Sequence, residues 1–323
     1  MSVAPPVLLI AFNRPDTLEE VIRALTPLAP ARMYVAADGP RAGRNGEAEA
    51  CAEVRALLTA LPWPCTITTR FLDSNAGCAV GVSGALTWFF EHEESGVILE
   101  DDCVPDPSFL AYCADALARH RDDEQVMSVL GTRFAPPVET QRASYSFTRL
   151  FSPWGWASWR RAWQRYELQL GDWRAKLPEY GRPLPSFPSS SNRCWARKLD
   201  GVAPRGKELR VPHTWDYQWS FAHMRHDGLC VLPKQNLVSN IGVGPGATHT
   251  GRESVWLNFP RGSATLPLIA PDTIESDRAA ELHRERWHLN HRGMIARKYW
   301  QIRNRHAIGS VAARRGWSEV RAG

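Results

Sequence analysis

Gly96-Val97-Ile98-Leu99-Glu100-Asp101-Asp102 decides the fold, because an apolar run of buried-strand length ends abruptly in three acids. A helical pattern, from about Gly77 to Glu93, leads into it. Further upstream, Cys65 to Phe71 reads as a strand, Glu47 to Leu61 as a helix, and Arg32 to Ala37 as a strand closing on Asp38-Gly39-Pro40. At the start, the short apolar run Val7 to Phe12 is followed by Asn13-Arg14-Pro15-Asp16-Thr17. Leu18, Val21, Ile22 and Leu25 then recur at helical spacing within Asp16 to Leu28. This alternation predicts an α/β fold, a parallel sheet covered by helices. Open sheets of this kind bind ligands at the carboxyl ends of their strands. Asn13, Asp38 and Glu100 to Asp102 are therefore expected along one edge.

The chain has 323 residues, 44% hydrophobic and 23% charged, enough to bury a core as one large domain or two intimate subdomains. After about Gly131 the pattern turns to segments rich in Trp, Pro, Ser and Gly, including the low-complexity stretch Pro183 to Ser191, and helices become hard to read. The expected division is a ligand-binding α/β half over 1–130, a second half over 131–265, and a basic extension over 266–323. No internal repeat is present. The seven cysteines are scattered, odd in number and without a CxxC pair, so reduced thiols are expected rather than a disulfide framework or structural zinc. No apolar run approaches the length that crosses a bilayer, and Met1 to Pro6 lacks the features of a signal peptide, so a cytoplasmic location is expected.

The net charge is +5, and basic residues gather near the end: Arg284 to Arg315 holds nine Arg or Lys and one acid, Glu285. Trp287, Ile295, Tyr299, Trp300 and Ile302 interleave with them. That composition suits a helix lying on an anionic membrane surface, or a basic helix whose aromatic stripe packs on the core. No nucleic-acid-binding motif accompanies the charge, so nucleic acid is not an expected partner.

Three adjacent acids at a strand end cannot all be buried without a counter-cation, since an unpaired buried carboxylate is very costly. A divalent ion meets that need. Hard oxygen ligands favour Mg2+ or Mn2+, which bridge carboxylates to phosphates. The alternative is an acidic loop capping a helix over Pro105 to Leu117.

Other segments join this one in a recognisable order. Val7-Leu-Leu-Ile-Ala-Phe-Asn-Arg-Pro15, Ala37-Asp38-Gly39, Asn75-Ala-Gly-Cys78 and Ile98-Leu-Glu-Asp-Asp-Cys-Val-Pro105 resemble bacterial glycosyltransferases related to the animal N-acetylglucosaminyltransferase that initiates complex N-glycans. So do Ser152-Pro-Trp-Gly-Trp-Ala-Ser-Trp159, Trp215-Asp-Tyr-Gln-Trp219, and Asn240-Ile-Gly-Val-Gly244 with Ala247-Thr-His-Thr250. The resemblance covers about residues 7 to 250. It implies a GT-A fold, the Rossmann-like architecture of nucleotide-diphospho-sugar transferases, with an acceptor-facing second half. It also implies a nucleotide-diphosphate sugar as donor and a glycan acceptor, lipid-linked in the surface-glycan case.

Carried over residue by residue, Asp102 matches the metal ligand of the acidic motif, with Glu100 and Asp101 beside it toward ribose or the metal shell. Asn13 and Arg14 would sit beside the nucleotide, Arg14 suiting diphosphate, and Asp38 would accept a hydrogen bond from the base. Asn75 and Gly77 open a helix where backbone N–H groups can approach ligand oxygen. Many members of the resembled group carry a basic residue just after the glycine-cysteine pair, whereas this chain has Ala79 and Val80, so the resemblance does not carry a further diphosphate contact over to that position.

Inverting transfer needs a base beside the acceptor hydroxyl. Asp216, between Trp215 and Tyr217, lies where the resemblance expects it, with Asp172 and Asp200 as poorer candidates. Otherwise it caps a helix over Trp219 to His226. Trp154 and Trp156 flank Gly155 and, with Trp215, suit sugar stacking, while Trp159 and Trp163 read as core. His249 suits the metal shell or the diphosphate, or a buried structural role. Two other functions fit less well. A sugar-phosphate nucleotidyltransferase needs a glycine-rich basic loop near its first strand, which Asn13-Arg14-Pro15-Asp16 is not. A non-catalytic carbohydrate-binding protein would have lost the acids that are present here.

Overall fold

Five consecutive apolar residues, Val7–Ala11, form β1, buried along its whole length, as a parallel strand covered on both faces must be. In this computed structural model, which describes residues 4–133, 142–204, 211–242 and 261–282, β1 lies inside an eight-stranded sheet. The helix α1 (Pro15–Leu25) follows, with Pro at its start, Asp16 in its first turn, and Leu18, Val21, Ile22 and Leu25 buried in a stripe. Next come β2 (Arg32–Ala37), α2 (Glu47–Thr59), β3 (Thr66–Phe71), α3 (Cys78–His92) and β4 (Ser95–Glu100). After the acids come the short β5 (Cys103–Pro105), α4 (Phe109–Arg119) and β6 (Val126–Leu130). The second half holds β7 (Tyr145–Thr148), β8 (Trp156–Trp159), α5 (Arg160–Trp163), α6 (Ser189–Val202), α7 (Asp216–Arg225), β9 (Leu229–Pro233) and β10 (Val238–Asn240).

The strand order is β3-β2-β1-β4-β8-β6-β9-β7. β3, β2, β1 and β4 are parallel; β8 runs against both β4 and β6, and β7 against β9. The parallel sheet expected from the sequence is thus one half of a mixed sheet. Alternation along β1 sorts the layers. Val7, Leu9 and Ala11 join residues of α1, α2 and α4 in one core, and Leu8 and Ile10 join residues of α3, α5 and α7 in the other. Each fully buried Val, Leu or Phe contributes roughly 1.5–3 kcal/mol. A third cluster packs α6 against α7 through Trp195, Leu199, Phe221 and Met224.

The pattern change at about 131 marks a change of strand direction and not a break. β6 lies before that position yet sits between β8 and β9, and one core contains Val7 together with Tyr145, Val231 and Leu237. Past residue 266, Leu268 and Ala280 are buried in the same cores, so 266–282 belongs to the fold. The basic stretch from Arg284 lies outside the described residues. All seven cysteines are free thiols. Among the described residues no helix is long and apolar enough to cross a membrane.

Candidate functional site

β1 and β4 are neighbours in register, Ile10 opposite Glu100, so the turns that follow them meet. From the first turn Arg14 reaches Asp101 and Asp102 in the second. Its Nη2 donates a short hydrogen bond to Asp101 Oδ1 and stands 2.9 Å from Asp102 Oδ2. Phe12 N–H donates weakly to Asp101 Oδ2, at 3.4 Å. The other side of Asp102 is held by the ribbon of β5 and β10, which pairs Asn240 with Cys103. Asn240 Nδ2 donates to Asp102 Oδ1 at 2.9 Å, and Ile241 N–H to the Asp102 carbonyl at 2.8 Å. Gly242 packs so closely that a Cβ there would lie 2.0 Å from Asp102 Oδ2 and 2.7 Å from Arg14 Nη1.

Electrostatically the cluster carries more negative charge than it neutralises. Burial, then Asp102 and Asp101, push Glu100 up to about 8, with Arg14 only partly offsetting them. Burial also outweighs Arg14 at Asp101, which moves up to about 6. Burial opposes the Arg14 charge, but its two carboxylate partners more than offset that, so the guanidinium pKa rises. Among the described residues the Glu100 carboxylate makes no hydrogen bond. Asp101 and Asp102 share the Arg14 guanidinium and Glu100 stands beside them, a set of hard oxygens of the kind Mg2+ or Mn2+ takes. No group of three His, Cys, Asp or Glu side chains among the described residues is arranged to hold an ion by itself. An ion at Asp102 therefore needs ligands from elsewhere, such as substrate phosphate oxygens. His249 lies outside the described residues.

A cavity of about 350 Å³ opens over this cluster, lined by Arg14, Glu100 and Asp102 together with Trp154, Trp215 and Asp216. Asp216 is the first residue of α7, which begins three residues earlier than the aromatic segment suggested. Thr214 Oγ1 donates to Asp216 Oδ1. The helix behind it is fixed to β6 by a buried chain: Trp219 Nε1 donates to Ser128 Oγ at 3.1 Å, and Ser128 Oγ lies 3.1 Å from His223 Nε2. His223 Nδ1 faces the Trp219 carbonyl at 2.9 Å, and burial pushes its pKa down to about 4, so the ring is neutral and Ser128 donates to Nε2. Cys78 also borders the cavity; burial, with Glu100 and Asp216 nearby, pushes its thiol up to about 12.

Other expected site residues sit differently. Trp156 has no exposed surface and stacks on Trp215 at 5.7 Å and 20°, so its face belongs to the core and is not open to a sugar. Trp159 and Trp163 are buried, as expected. Asp38 lies at the expected edge, but Gly39, Ala76 and Gly77 N–H and Asn75 Nδ2 donate to it at 2.8–3.1 Å. Those four bonds fill a carboxylate's lone-pair sites. The turn before α3 is thereby tied to β2, with Gly77 at φ +80°. Asn13 donates to Glu47 Oε2 at 3.2 Å, and Glu47 in turn binds Arg41. Asp172 and Asp200 line a separate cavity, where Asp200 is paired with Arg174.

Sequence reading assigned no role to Asn240, Thr214 or Gly242. Asn240 and Gly242 lie inside a quoted motif, and Thr214 stands two residues before Asp216, but their contacts depend on chain segments up to 138 residues apart.

No protein-family model matches the chain, and no curated protein matches it. Among solved structures it is similar to a protein from Bacillus anthracis named as a glucose-1-phosphate thymidylyltransferase, in complex with a sucrose. The two share 9% identity with a TM-score of 0.29, over 69% of this chain and 95% of that one. So slight a likeness carries no functional weight.

Proposed function

We propose that the chain is a metal-dependent, inverting glycosyltransferase of the GT-A type. It moves a sugar from a nucleotide-diphosphate donor, a uridine diphosphate sugar in the simplest case, to a hydroxyl of a surface glycan or lipid-linked acceptor. The observation that carries this reading is one cavity lined by Arg14, Glu100 and Asp102 and also by Asp216, Trp154 and Trp215. An anion-rich cluster that suits a cation and a separate carboxylate in the same space are the two elements such a displacement needs.

In this reading Asp102 holds the divalent ion, which supplies charge neutralisation for the departing diphosphate. Arg14 adds a second positive group. Asp216, fixed by Thr214 and the α7 backbone, takes the proton of the acceptor hydroxyl as that oxygen attacks the anomeric carbon from the face opposite the leaving group. Trp154 borders the sugar and excludes water, whereas Trp215, 2% exposed and stacked on Trp156, backs the cavity wall instead of offering a free face. Asp38, Asn75 and Gly77 shape the edge that receives the nucleotide. The basic segment from Arg284 brings the enzyme to an anionic membrane surface.

Titrating the protein with a panel of nucleoside diphosphates and their sugars, with and without Mn2+, tests the donor assignment. Metal-dependent binding of one nucleotide is expected. Asp216→Asn should retain that binding and lose transfer by about 10²–10⁴-fold. Loss of donor binding in Asp216→Asn would remove it as the base, and pyrophosphate release from a nucleoside triphosphate and a sugar phosphate would replace the transferase reading with a nucleotidyltransferase.

A further inference from the structure

We propose that a second cavity, of about 240 Å³, binds the phosphate of an anionic lipid while the strap beside it, residues 263–269, enters the membrane surface. This cavity shares no lining residue with the one over Asp102, and the proposal does not depend on the transferase reading. Its walls come from the segment before β7, the turn between β9 and β10, and the strap, with Tyr112 of α4. Arg142 and Lys234 stand in those walls, and no acid does. Behind them Arg133 is 2% exposed, and its Nη1 donates at 3.1 Å to the carbonyl of Pro233, itself a wall residue. Among the described residues Arg133 makes no salt bridge, and Asp277 supports its charge only at longer range. A buried cation without a paired acid makes the space beside it positive.

The strap supplies an apolar edge to this basic space. Of the five large hydrophobic residues exposed among the described residues, Tyr180, Val211, Leu266, Ile269 and Ile274, two lie on the strap and Ile274 follows shortly after it. Leu266 is 44% and Ile269 60% exposed. The backbone beneath them is tied down: Ile269 N–H donates to Ser144 Oγ at 2.9 Å, Ser144 N–H to the Ile269 carbonyl at 2.8 Å, and Ala264 N–H to Ser108 Oγ at 2.7 Å. Leu268 is buried and anchors the strap to the core. Ile269 and Arg142 are both exposed and both line the cavity, so an apolar and a cationic side chain share its mouth. An anionic membrane surface meets both features at once, its phosphates entering the basic cavity and its acyl boundary taking the apolar edge. A free phosphate ion would use the cavity alone and leave that edge in water.

The test is co-sedimentation of the full chain with vesicles of phosphatidylcholine alone, or in equal parts with phosphatidylglycerol, for wild type, Ile269→Asp and Arg142→Glu. Both replaced residues are exposed, so the unfolding midpoints should match wild type. Each variant should bind the anionic vesicles about tenfold more weakly, Ile269→Asp by losing apolar burial and Arg142→Glu by reversing one charge. Should Ile269→Asp unfold, Leu266→Asp serves instead, since Leu266 lies on the same edge but outside the cavity lining. Calorimetry with inorganic phosphate separates the two sources of the anion: Arg142→Glu should weaken phosphate binding and Ile269→Asp should leave it unchanged. Equal vesicle binding by all three proteins overturns the proposal and leaves membrane attachment to the basic stretch from Arg284. Phosphate binding together with vesicle binding that the apolar variants do not alter assigns the cavity to a soluble anion and overturns the lipid.

Discussion

Asp38 and Asp102 occupy equivalent places, each just past the carboxyl end of a parallel strand, β2 and β4. Their surroundings differ completely. Asp38 is met by three backbone N–H groups and the Asn75 amide, so its charge is spent on holding the turn before α3. Asp102 follows two other acids, faces one guanidinium and one amide, and lines a cavity. A strand-end acid in a sheet of this topology is thus a candidate for ligand contact by position alone. Only the count of donors around it separates a fastener from an unspent charge.

The largest test of that contrast is Asp102→Ala. Metal-dependent binding of a nucleoside diphosphate should weaken by about 100-fold or more, while the unfolding midpoint changes less than for Asp38→Ala, because Arg14 keeps Asp101 as partner and relief of the repulsion on Glu100 and Asp101 offsets the lost Asn240 hydrogen bond. A variant that lost stability and kept binding would make Asp102 the fastener. Asp38→Ala should do the reverse. Orphaning four donors costs about 2 kcal/mol, read as a lower denaturant midpoint, with nucleotide affinity falling less than for Asp102→Ala. Unchanged stability with lost nucleotide binding would return Asp38 to the role of base contact.

The same contrast shows how far the sequence could be read. The apolar runs of β1 and β4, and the acids that end β4, were plain because parallel strands buried on both faces leave a continuous hydrophobic signature. Arg14, Glu100, Asp102, Trp154, Trp215 and Asp216 come together as lining of one cavity. What the sequence hid is pairing. The partners of Asp102 lie in a turn 88 residues earlier and in a ribbon 138 residues later, and three of the four donors to Asp38 come from the turn between β3 and α3. In the second half the signal fades because its strands are short, four residues in β7 and β8. Helix α6 starts inside the Pro- and Ser-rich stretch that masked its Trp195, Leu199 and Val202 spacing. The direction of Trp156 follows from how β8 sits between β4 and β6, which a local pattern does not contain.

A smaller effect is expected from Gly242→Ala. The added methyl must push Asp102 Oδ2 or Arg14 aside, since it would otherwise lie 2.0 Å and 2.7 Å from them. Metal-dependent donor affinity should drop about tenfold with the fold intact, the result of displacing one charged contact. Wild-type affinity would show that the Arg14–Asp102 pair tolerates rearrangement and that the close packing of Gly242 is incidental to binding.

The smallest effect is a slope with pH, and its sign follows from the raised carboxyl groups. Glu100 moves from an ordinary 4.5 up to about 8, and Asp101 from 3.8 up to about 6, burial being the largest cause in both. Between the unfolded and folded values the folded chain holds protons that the unfolded chain has released, so stability falls as pH rises. The window runs from about 4 to 6 for Asp101 and from about 4.5 to 8 for Glu100. Glu100 borders an open cavity, where solvent screens it, so the expected loss between pH 5 and 8 is about 1 kcal/mol, a shift of a few degrees in Tm. A saturating divalent ion should flatten the slope, because a cation beside Asp102 favours the ionised form of its neighbours. Asp102→Ala should flatten it too, by removing one of the like charges that raise Glu100. A slope that persists unchanged in both would place its source outside the acidic cluster and would weaken the view of Asp102 as part of an undercompensated site.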